Sequence, residues 1–157
     1  VMNCIYAADA FRRAGMKTRI MTPFVCGDVA ELYVRDKAIE AMENGEVVFF
    51  AGGSGHPYFS TDMPAVLRAV ETKCDAVLSA KAIDGVYDSD PKINPDAKKF
   101  EEMEMSDIVD KKLGVIDLAS AVLAMEQHMP MILFGLNEEG SILRAVKGEK
   151  VGTKINA

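Results

Sequence analysis

The sequence has no tryptophan, only two histidines and only three cysteines among its 157 residues. Cys4, Cys26 and Cys74 are widely spaced and form no C-x-x-C pair, so we interpret them as reduced thiols that fill space. His56 and His128 lie far apart, and no cysteine or carboxylate pattern completes a metal site around either of them. The composition therefore predicts neither a disulfide framework nor a metal ion held by the protein.

Long apolar runs are also missing. The longest, 47–51 and 129–134, are far too short to cross a bilayer, and no charged segment followed by an apolar one opens the chain as in a secretory signal. The net charge of −6 argues against a broad surface for nucleic acid or membrane. A small phosphorylated substrate stays possible, because a few backbone N–H groups and one or two cations can bind it. We expect a cytoplasmic protein with no nucleic-acid or membrane partner.

What the sequence does contain is an alternation of helical and strand patterns. The length suits a single domain, 1–157, with a real hydrophobic core. We predict helices at 1–14, 63–72, 117–128 and 140–146, together with one that ends at about 42 and one that begins at 106. We predict strands at 17–22, 47–51, 75–80, 100–103, 131–134 and 152–155. Glycine-rich turns follow several of the strands, which indicates an α/β domain with a mostly parallel sheet.

The first candidate site is the glycine-rich segment 52–62, Gly-Gly-Ser-Gly-His-Pro-Tyr-Phe-Ser-Thr-Asp. It follows a buried strand, and a glycine turn at the carboxyl end of a parallel strand brings together backbone N–H groups that can bind phosphate. Tyr58 and Phe59 add flat apolar surface for a base, while Thr61 and Asp62 can cap the next helix. A tight turn that needs glycine only for its backbone is the alternative, and the clustered aromatic and hydroxyl side chains favour ligand binding. The segment is neither a Walker A loop nor G-x-G-x-x-G.

The second candidate site is the loop 81–91, which also follows a predicted buried strand. It combines Lys81, Tyr87 and three carboxylates, a mixture suited to phosphate, an adenine ring and either Mg²⁺ or ribose. A solvated polar loop with Asp-Gly and Asp-Pro turns explains the same residues equally well. Asp117 opens a predicted helix, and a helix-capping role is sufficient to explain it.

These segments together resemble the bacterial uridylate kinases of the amino-acid kinase superfamily. The matching segments, in the family's order and approximate spacing, are 1–3, 51–62, 84–87, 90–91, 115–117, 144–146, 148–149 and 152–153. The resemblance implies a three-layer α/β sandwich and transfer of the γ-phosphate of ATP to UMP, in pyrimidine nucleotide biosynthesis. Two departures stand inside the motifs: His56 where the family often has asparagine, and Lys81 where a threonine is common.

The resemblance also implies roles for individual residues. Asp62 and Asp117 would be catalytic, Asp62 as the aspartate that organises cations. The residues implied to bind UMP are Gly53, Ser54, Gly55, His56, Pro57, Tyr58, Phe59, Ser60 and Thr61. Those implied to bind ATP are Lys81, Tyr87 and Asp90. Mg²⁺ would accompany ATP, GTP and UTP would be possible effectors, and the assembly would be a homo-oligomer, a hexamer in the family.

The first helical pattern is already under way at Val1, with no capping residue before it. We therefore expect an N-terminal truncation: the family's N-terminal lysine and glycine loops would lie upstream, and the chain alone would be a poor catalyst or none. Two alternatives to a UMP kinase stay open. One is a non-catalytic nucleotide-binding or oligomerisation fragment; the other is a related kinase that phosphorylates a carboxylate.

Overall fold

The computed structural model describes all 157 residues. The helices are α1 (Met2–Arg13), α2 (Arg35–Glu43), α3 (Asp62–Glu71), α4 (Met105–Lys111), α5 (Leu118–Glu126) and α6 (Ser141–Val146). The strands are β1 (Thr18–Thr22), β2 (Glu31–Leu32), β3 (Val47–Phe50), β4 (Val77–Lys81), β5 (Glu102–Glu104), β6 (Met131–Gly135) and β7 (Thr153–Asn156). No helix combines the length and apolar character that a membrane span needs. Contacts group the residues into two compact units, 1–73 and 74–157.

The first unit is a three-stranded parallel sheet of order β2-β1-β3 with helices packed on it. Helix α1 contacts β1 and β3, and Ala8, Ile20 and Ala51 form the centre of their common core. Phe11 of α1 packs edge-on against Phe49 with ring centroids 5.3 Å apart. Because the strands are parallel, the segments that follow β1 and β3 emerge at the same edge of the sheet.

The second unit is a four-stranded sheet of order β4-β6-β7-β5, with α6 against β4 and β6, and α4 against α5. Strand pairs β4–β6 and β5–β7 are parallel, whereas β6–β7 is antiparallel. Gly152 precedes β7 with a φ of +58°, and a Cβ there would lie 1.9 Å from the carbonyl oxygen of Leu133. Only glycine allows the backbone to approach β6 so closely.

The predicted α/β class with mainly parallel strands is confirmed, although the strands lie in two sheets and not in one. Periodicity identifies strands but not their neighbours, which explains this difference. Strand β2 was not predicted because its two residues are too few to show a period. Helix α3 begins one residue early, at Asp62, and Thr61 makes no capping hydrogen bond through its side chain. A single domain over 1–157 stays a prediction.

Candidate functional site

The glycine-rich segment forms a loop directly after β3, in the first unit. Gly52, Gly53 and Gly55 have φ values of +84°, +65° and +76°, a region that side chains disfavour. A Cβ on Gly52 would lie 2.8 Å from the ring of Phe24, and one on Gly55 would lie 2.9 Å from the ring of Pro23. Glycine is therefore required at both positions for space as well as for backbone conformation.

This loop borders a shallow pocket of about 350 Å³. Its lining residues are Phe24, Gly52, Gly53, Ser54, Gly55, His56, Phe59, Ser60 and Thr61. Seven of the nine residues expected at a UMP site are therefore brought together, and Pro57 and Tyr58 are not among the lining residues. Tyr58 is fully exposed with a φ of +70°, an uncommon conformation for a side chain of its size. Its contact with a ligand stays a prediction.

Phe24 is a lining residue that the sequence reasoning missed. It follows β1, whose last residue, Thr22, donates a hydrogen bond from Oγ1 to the Phe24 carbonyl oxygen at 2.6 Å. The parallel pairing of β1 with β3 places this segment beside the glycine loop. Phe24 and Phe59 are about half exposed, and their rings supply the apolar surface that Tyr58 and Phe59 were expected to supply. The sequence signal that could have identified Phe24 as a lining residue was its position just after a predicted strand.

Two hydroxyl groups close the turns of the loop. Ser54 Oγ accepts a hydrogen bond from the His56 backbone N–H at 3.2 Å. Ser60 Oγ accepts one from the Asp62 N–H at 3.2 Å, which satisfies a donor at the start of α3. The capping role expected of Thr61 thus falls to Ser60, because Thr61 already has helical backbone angles.

At the other end of α3, a polar cluster joins this helix to the sheet. The Tyr33 hydroxyl donates to Glu71 Oε2 at 2.8 Å, and the buried Arg68 guanidinium donates to the same oxygen at 2.5 Å. Arg68 also lies 3.8 Å from the centre of the Tyr33 ring, a cation–π contact. Burial and the hydrogen bond to Glu71 raise the pKa of Tyr33 to about 12. The cluster fixes the helix that carries Asp62.

The second candidate loop borders a larger pocket, of about 720 Å³, in the second unit. Its lining residues are Ala82, Ile83, Asp84, Tyr87, Asp88, Ser89, Asp90, Pro91, Lys92, Leu113, Gly114 and Val115. Two of the three residues expected at an ATP site, Tyr87 and Asp90, are among them. Lys81 is not: it is the last residue of β4, paired with Gly135 of β6, and not part of a polar loop as expected. The segment 113–115, between α4 and α5, was missed as part of a pocket.

Asp84 is the carboxylate of this pocket that forms an ion pair. Its Oδ1 accepts a hydrogen bond from the Tyr87 hydroxyl at 2.8 Å, and its Oδ2 lies 2.9 Å from Lys99 Nζ. The hydrogen bond from Lys99, aided by that from Tyr87, lowers the pKa of Asp84 despite partial burial. The same carboxylate raises the pKa of Tyr87 and of Lys99. Asp84 is therefore ionised near neutral pH, and Tyr87 and Lys99 keep their protons.

The other two carboxylates of the loop hold backbone N–H groups: Asp88 links the loop to the segment around residue 98, and Asp90 forms a turn. Asp88 Oδ1 accepts from the Lys98 backbone N–H at 3.0 Å, and Asp90 Oδ1 accepts from the Lys92 N–H at 2.9 Å. The hydrogen bond from Lys98 lowers the pKa of Asp88, so this carboxylate is charged as well. The turn expected at Asp90-Pro91 is thus present, at the border of a pocket.

Asp117, the second expected catalytic residue, is the N-cap of α5. Its Oδ1 accepts a hydrogen bond from the Ala119 N–H at 3.0 Å, and its Oδ2 accepts one from the Ser120 hydroxyl. The capping role predicted for Asp117 is therefore observed, and its catalytic role stays a prediction, as does that of Asp62. No three His, Cys, Asp or Glu side chains are grouped so as to hold a metal ion.

Comparison with known proteins agrees with this architecture. The model of the amino acid kinase family matches residues 1–135. The chain belongs to the amino acid kinase family. Among its sequence relatives, the uridylate kinase of Deinococcus radiodurans is 46% identical over 100% of the chain and 64% of the relative. The uridylate kinase of a Nocardioides species is 44% identical over 100% of the chain and 67% of the relative.

Solved structures give the same result. A UMP kinase from Bacillus anthracis matches with a TM-score of 0.94 at 38% identity, covering 99% of this chain and 64% of the other. A UMP kinase from Ureaplasma parvum matches with a TM-score of 0.92 at 28% identity, covering 99% of this chain and 67% of the other. The chain thus spans about two thirds of the length of these relatives, and the resemblance inferred from its motifs is confirmed.

Proposed function

We propose that this chain is the nucleotide-binding part of a kinase that transfers the γ-phosphate of ATP to UMP. The observation that carries the proposal is the loop between β3 and α3, which contains three glycines with positive φ. The names of the sequence and structure relatives support the same substrates. Because the chain spans 64% of the length of those relatives, binding of nucleotides by the chain and catalysis by the chain are separate proposals.

We assign UMP to the pocket of the glycine loop. Consecutive backbone amides in such a turn, close to the positive end of a helix dipole, form a favourable environment for a phosphate group. Phe24 and Phe59 offer exposed rings on which a pyrimidine can stack. The hydroxyls of Ser54, Ser60 and Thr61 are suited to the sugar or phosphate oxygens. An amino-acid acceptor would make little use of two aromatic rings.

We assign the adenosine end of ATP to the larger pocket in the second unit. Ile83, Leu113 and Val115 provide apolar surface, and the Tyr87 ring provides a face for stacking. The carboxylates of this pocket would repel a polyphosphate but can accept hydrogen bonds from a ribose or an exocyclic amine. The lining therefore suits a nucleoside better than it suits a phosphate chain.

The chemistry requires no strong general base. The acceptor is a phosphate oxygen that is already anionic near neutral pH, so catalysis consists of in-line positioning and stabilisation of charge. Mg²⁺ bound to ATP would supply part of that charge. Asp62 and Asp117 are our candidates for organising the cations. A cytoplasmic homo-oligomer with GTP and UTP as effectors also stays part of the proposal.

One observation favours a second candidate function, nucleotide binding without turnover. No lysine or arginine lines the glycine-loop pocket, and Lys92 is the one cation that lines the larger pocket. Phosphoryl transfer depends on positive charge around the moving phosphate. We therefore expect the isolated chain to bind nucleotides and to turn them over slowly or not at all.

The test is the thermal unfolding midpoint with UMP, CMP, AMP, aspartate or glutamate, each with and without Mg·ATP. A ligand that binds only the folded state raises this midpoint by mass action, whether or not catalysis occurs. We expect a selective rise with UMP that is lost in Phe59→Ala and kept in Tyr6→Ala, a control that removes an exposed aromatic ring from α1. A rise with aspartate or glutamate instead would identify a carboxylate kinase. Formation of ADP that depends on UMP would separate the kinase from the binding module.

A further inference from the structure

Lys99 lies outside the lining of the larger pocket, yet its contacts lead directly to a lining residue. Its ammonium group lies 2.9 Å from Asp84 Oδ2, and the other oxygen of that carboxylate accepts the Tyr87 hydroxyl at 2.8 Å. Lysine, carboxylate and phenol thus form a continuous chain of charge-assisted hydrogen bonds that ends on the aromatic ring in the pocket wall. We propose that Lys99 is a positioning residue that, through Asp84, fixes the orientation of the Tyr87 ring for nucleoside binding.

The packing around Lys99 holds its side chain in place beside Asp84. A Cβ on Gly85 would lie 2.5 Å from Lys99 Cδ and 2.9 Å from Lys99 Cγ, so the aliphatic part of the lysine lies against bare backbone. Asp84 is confined in the same way, because a Cβ on Gly135 would lie 3.1 Å from Asp84 Cβ. Two glycines therefore make room for the two partners of this ion pair.

The backbone around Tyr87 is fixed independently of the ion pair. Tyr87 and Lys99 form an antiparallel bridge, and the Val86 N–H donates to the buried Thr153 hydroxyl at 2.9 Å. The Phe100 N–H donates to the Val86 carbonyl oxygen at 2.9 Å. With the backbone fixed, the main freedom left to Tyr87 is rotation about χ1, and the hydrogen bond to Asp84 restrains it. Fixing a side chain before binding reduces the entropy lost when the ligand binds.

The arrangement argues against direct contact of Lys99 with the ligand. Its ammonium group is already paired with Asp84, and its side chain borders a different cavity, with Glu101, Glu102 and Lys154. Without Lys99 the half-exposed Asp84 carboxylate would be free to turn toward water and to release the Tyr87 hydroxyl. The aromatic wall of the pocket would then be mobile before binding.

The inference rests on the proposed nucleoside pocket, and its first test is the affinity of the full chain for adenosine and for ATP. We expect Lys99→Met to weaken both by about three- to ten-fold, the scale of one side chain that must be immobilised on binding. Lys99→Arg should restore most of the affinity. Lys154→Met is the matched control, since it removes a lysine paired with Glu102 at 2.8 Å in the same unit and should leave both affinities unchanged.

The decisive comparison uses the Tyr87→Phe background, which lacks the hydroxyl. If Lys99 acts through Tyr87, Lys99→Met should cost no further affinity in that background. An equal loss in both backgrounds, a loss for ATP but not for adenosine, or no loss at all would each overturn the proposal.

A second measurement keeps the inference separate from the proposed function. Three-bond NMR couplings of isotope-labelled tyrosine report the χ1 rotamers of Tyr87 in the unliganded chain, and Tyr87→Phe identifies the signal. Averaging over χ1 rotamers should increase in Lys99→Met and Asp84→Asn and stay unchanged in Lys154→Met. If the wild-type chain bound neither adenosine nor ATP, the proposed pocket would be wrong. Unchanged rotamer averaging in Lys99→Met would show that the positioning role is wrong as well.

Discussion

Replacing Gly52 by alanine would test whether the glycine loop is specified by space as well as by backbone conformation. Gly53→Ala is the matched control in the same loop. Both positions have positive φ, which costs about 1–2 kcal/mol for a residue with a Cβ. At Gly53 the nearest neighbour of the new methyl group would be Pro64 Cγ at 4.0 Å, an ordinary contact. At Gly52 the methyl group would lie 2.8 Å from the Phe24 ring.

The additional cost at Gly52 follows from the burial of Phe24. Complete burial of a phenylalanine side chain is worth about 1.5–3 kcal/mol. Phe24 is 43% exposed, so its ring can turn away from the methyl group and lose only part of that contribution, about 1 kcal/mol. We expect the free energy of unfolding to fall by about 1 kcal/mol in Gly53→Ala and by about 2 kcal/mol in Gly52→Ala.

Urea denaturation followed by circular dichroism would measure these losses, and thermal unfolding should show midpoints lower by about 2–4 °C for each kcal/mol. Phe24→Ala provides the internal check, because it removes the atoms that the new methyl group meets. In that background Gly52→Ala should cost no more than Gly53→Ala does. Equal losses at the two glycines in the wild-type background would refute the role assigned to Phe24.

Three further predictions concern the packing and the charged pairs. Gly152→Ala should lower the free energy of unfolding by about 3 kcal/mol or more, because its methyl group meets a backbone carbonyl, whereas Gly148→Ala has open space and should lose about 1 kcal/mol. The pKa of Asp84 is lowered by the Lys99 hydrogen bond, so the stability from this pair is present above pH 3.8 and is lost as the pH falls through the lowered pKa. Asp84→Asn should therefore lose less stability on acidification. Spectrophotometric titration should show one of four tyrosines with a pKa of about 12, absent in Tyr33→Phe.

Each of these has a clear contrary result. Similar losses in the two glycine variants of the β6–β7 region would mean that the backbone there can move apart without cost. Identical acid unfolding profiles for the wild type and Asp84→Asn would show that the ion pair contributes nothing at the surface. A titration curve unchanged by Tyr33→Phe would mean that the phenol is not held by Glu71.

The sequence was most informative where structure is local. The alternation of apolar runs and turn residues predicted all the longer elements, and Asp117 was correctly predicted to open a helix because capping involves only neighbouring residues. The glycine loop after β3 was predicted from a cluster of residues contiguous in the chain. Its residues Gly53 to Thr61 were assigned together, however, and Pro57 and Tyr58 are not among the residues that line the pocket.

The sequence was least informative where contacts join distant segments. Phe24 reaches the glycine loop because two parallel strands end at the same edge, and strand order cannot be derived from periodicity. Lys99 follows Asp84 by fifteen residues and meets it through a single bridge between two irregular segments. Nothing in the charge-rich segment 98–104 distinguishes Lys99, which pairs with Asp84, from a lysine that only faces solvent.

The charges of the two pockets bear on how a kinase of this family could use them. In the larger pocket Asp84 and Asp88 have lowered pKa values, because Asp84 accepts a hydrogen bond from Lys99 and Asp88 accepts one from the Lys98 N–H. A negative lining of this kind would favour the uncharged end of a nucleotide and repel its phosphates. The glycine loop offers the opposite environment, with backbone donors and hydroxyls and no carboxylate among its lining residues. Under the proposed assignment the larger pocket would bind the adenosine end of ATP and the glycine loop would bind UMP, and most of the cations needed for transfer would have to come from Mg²⁺ or from residues outside both linings.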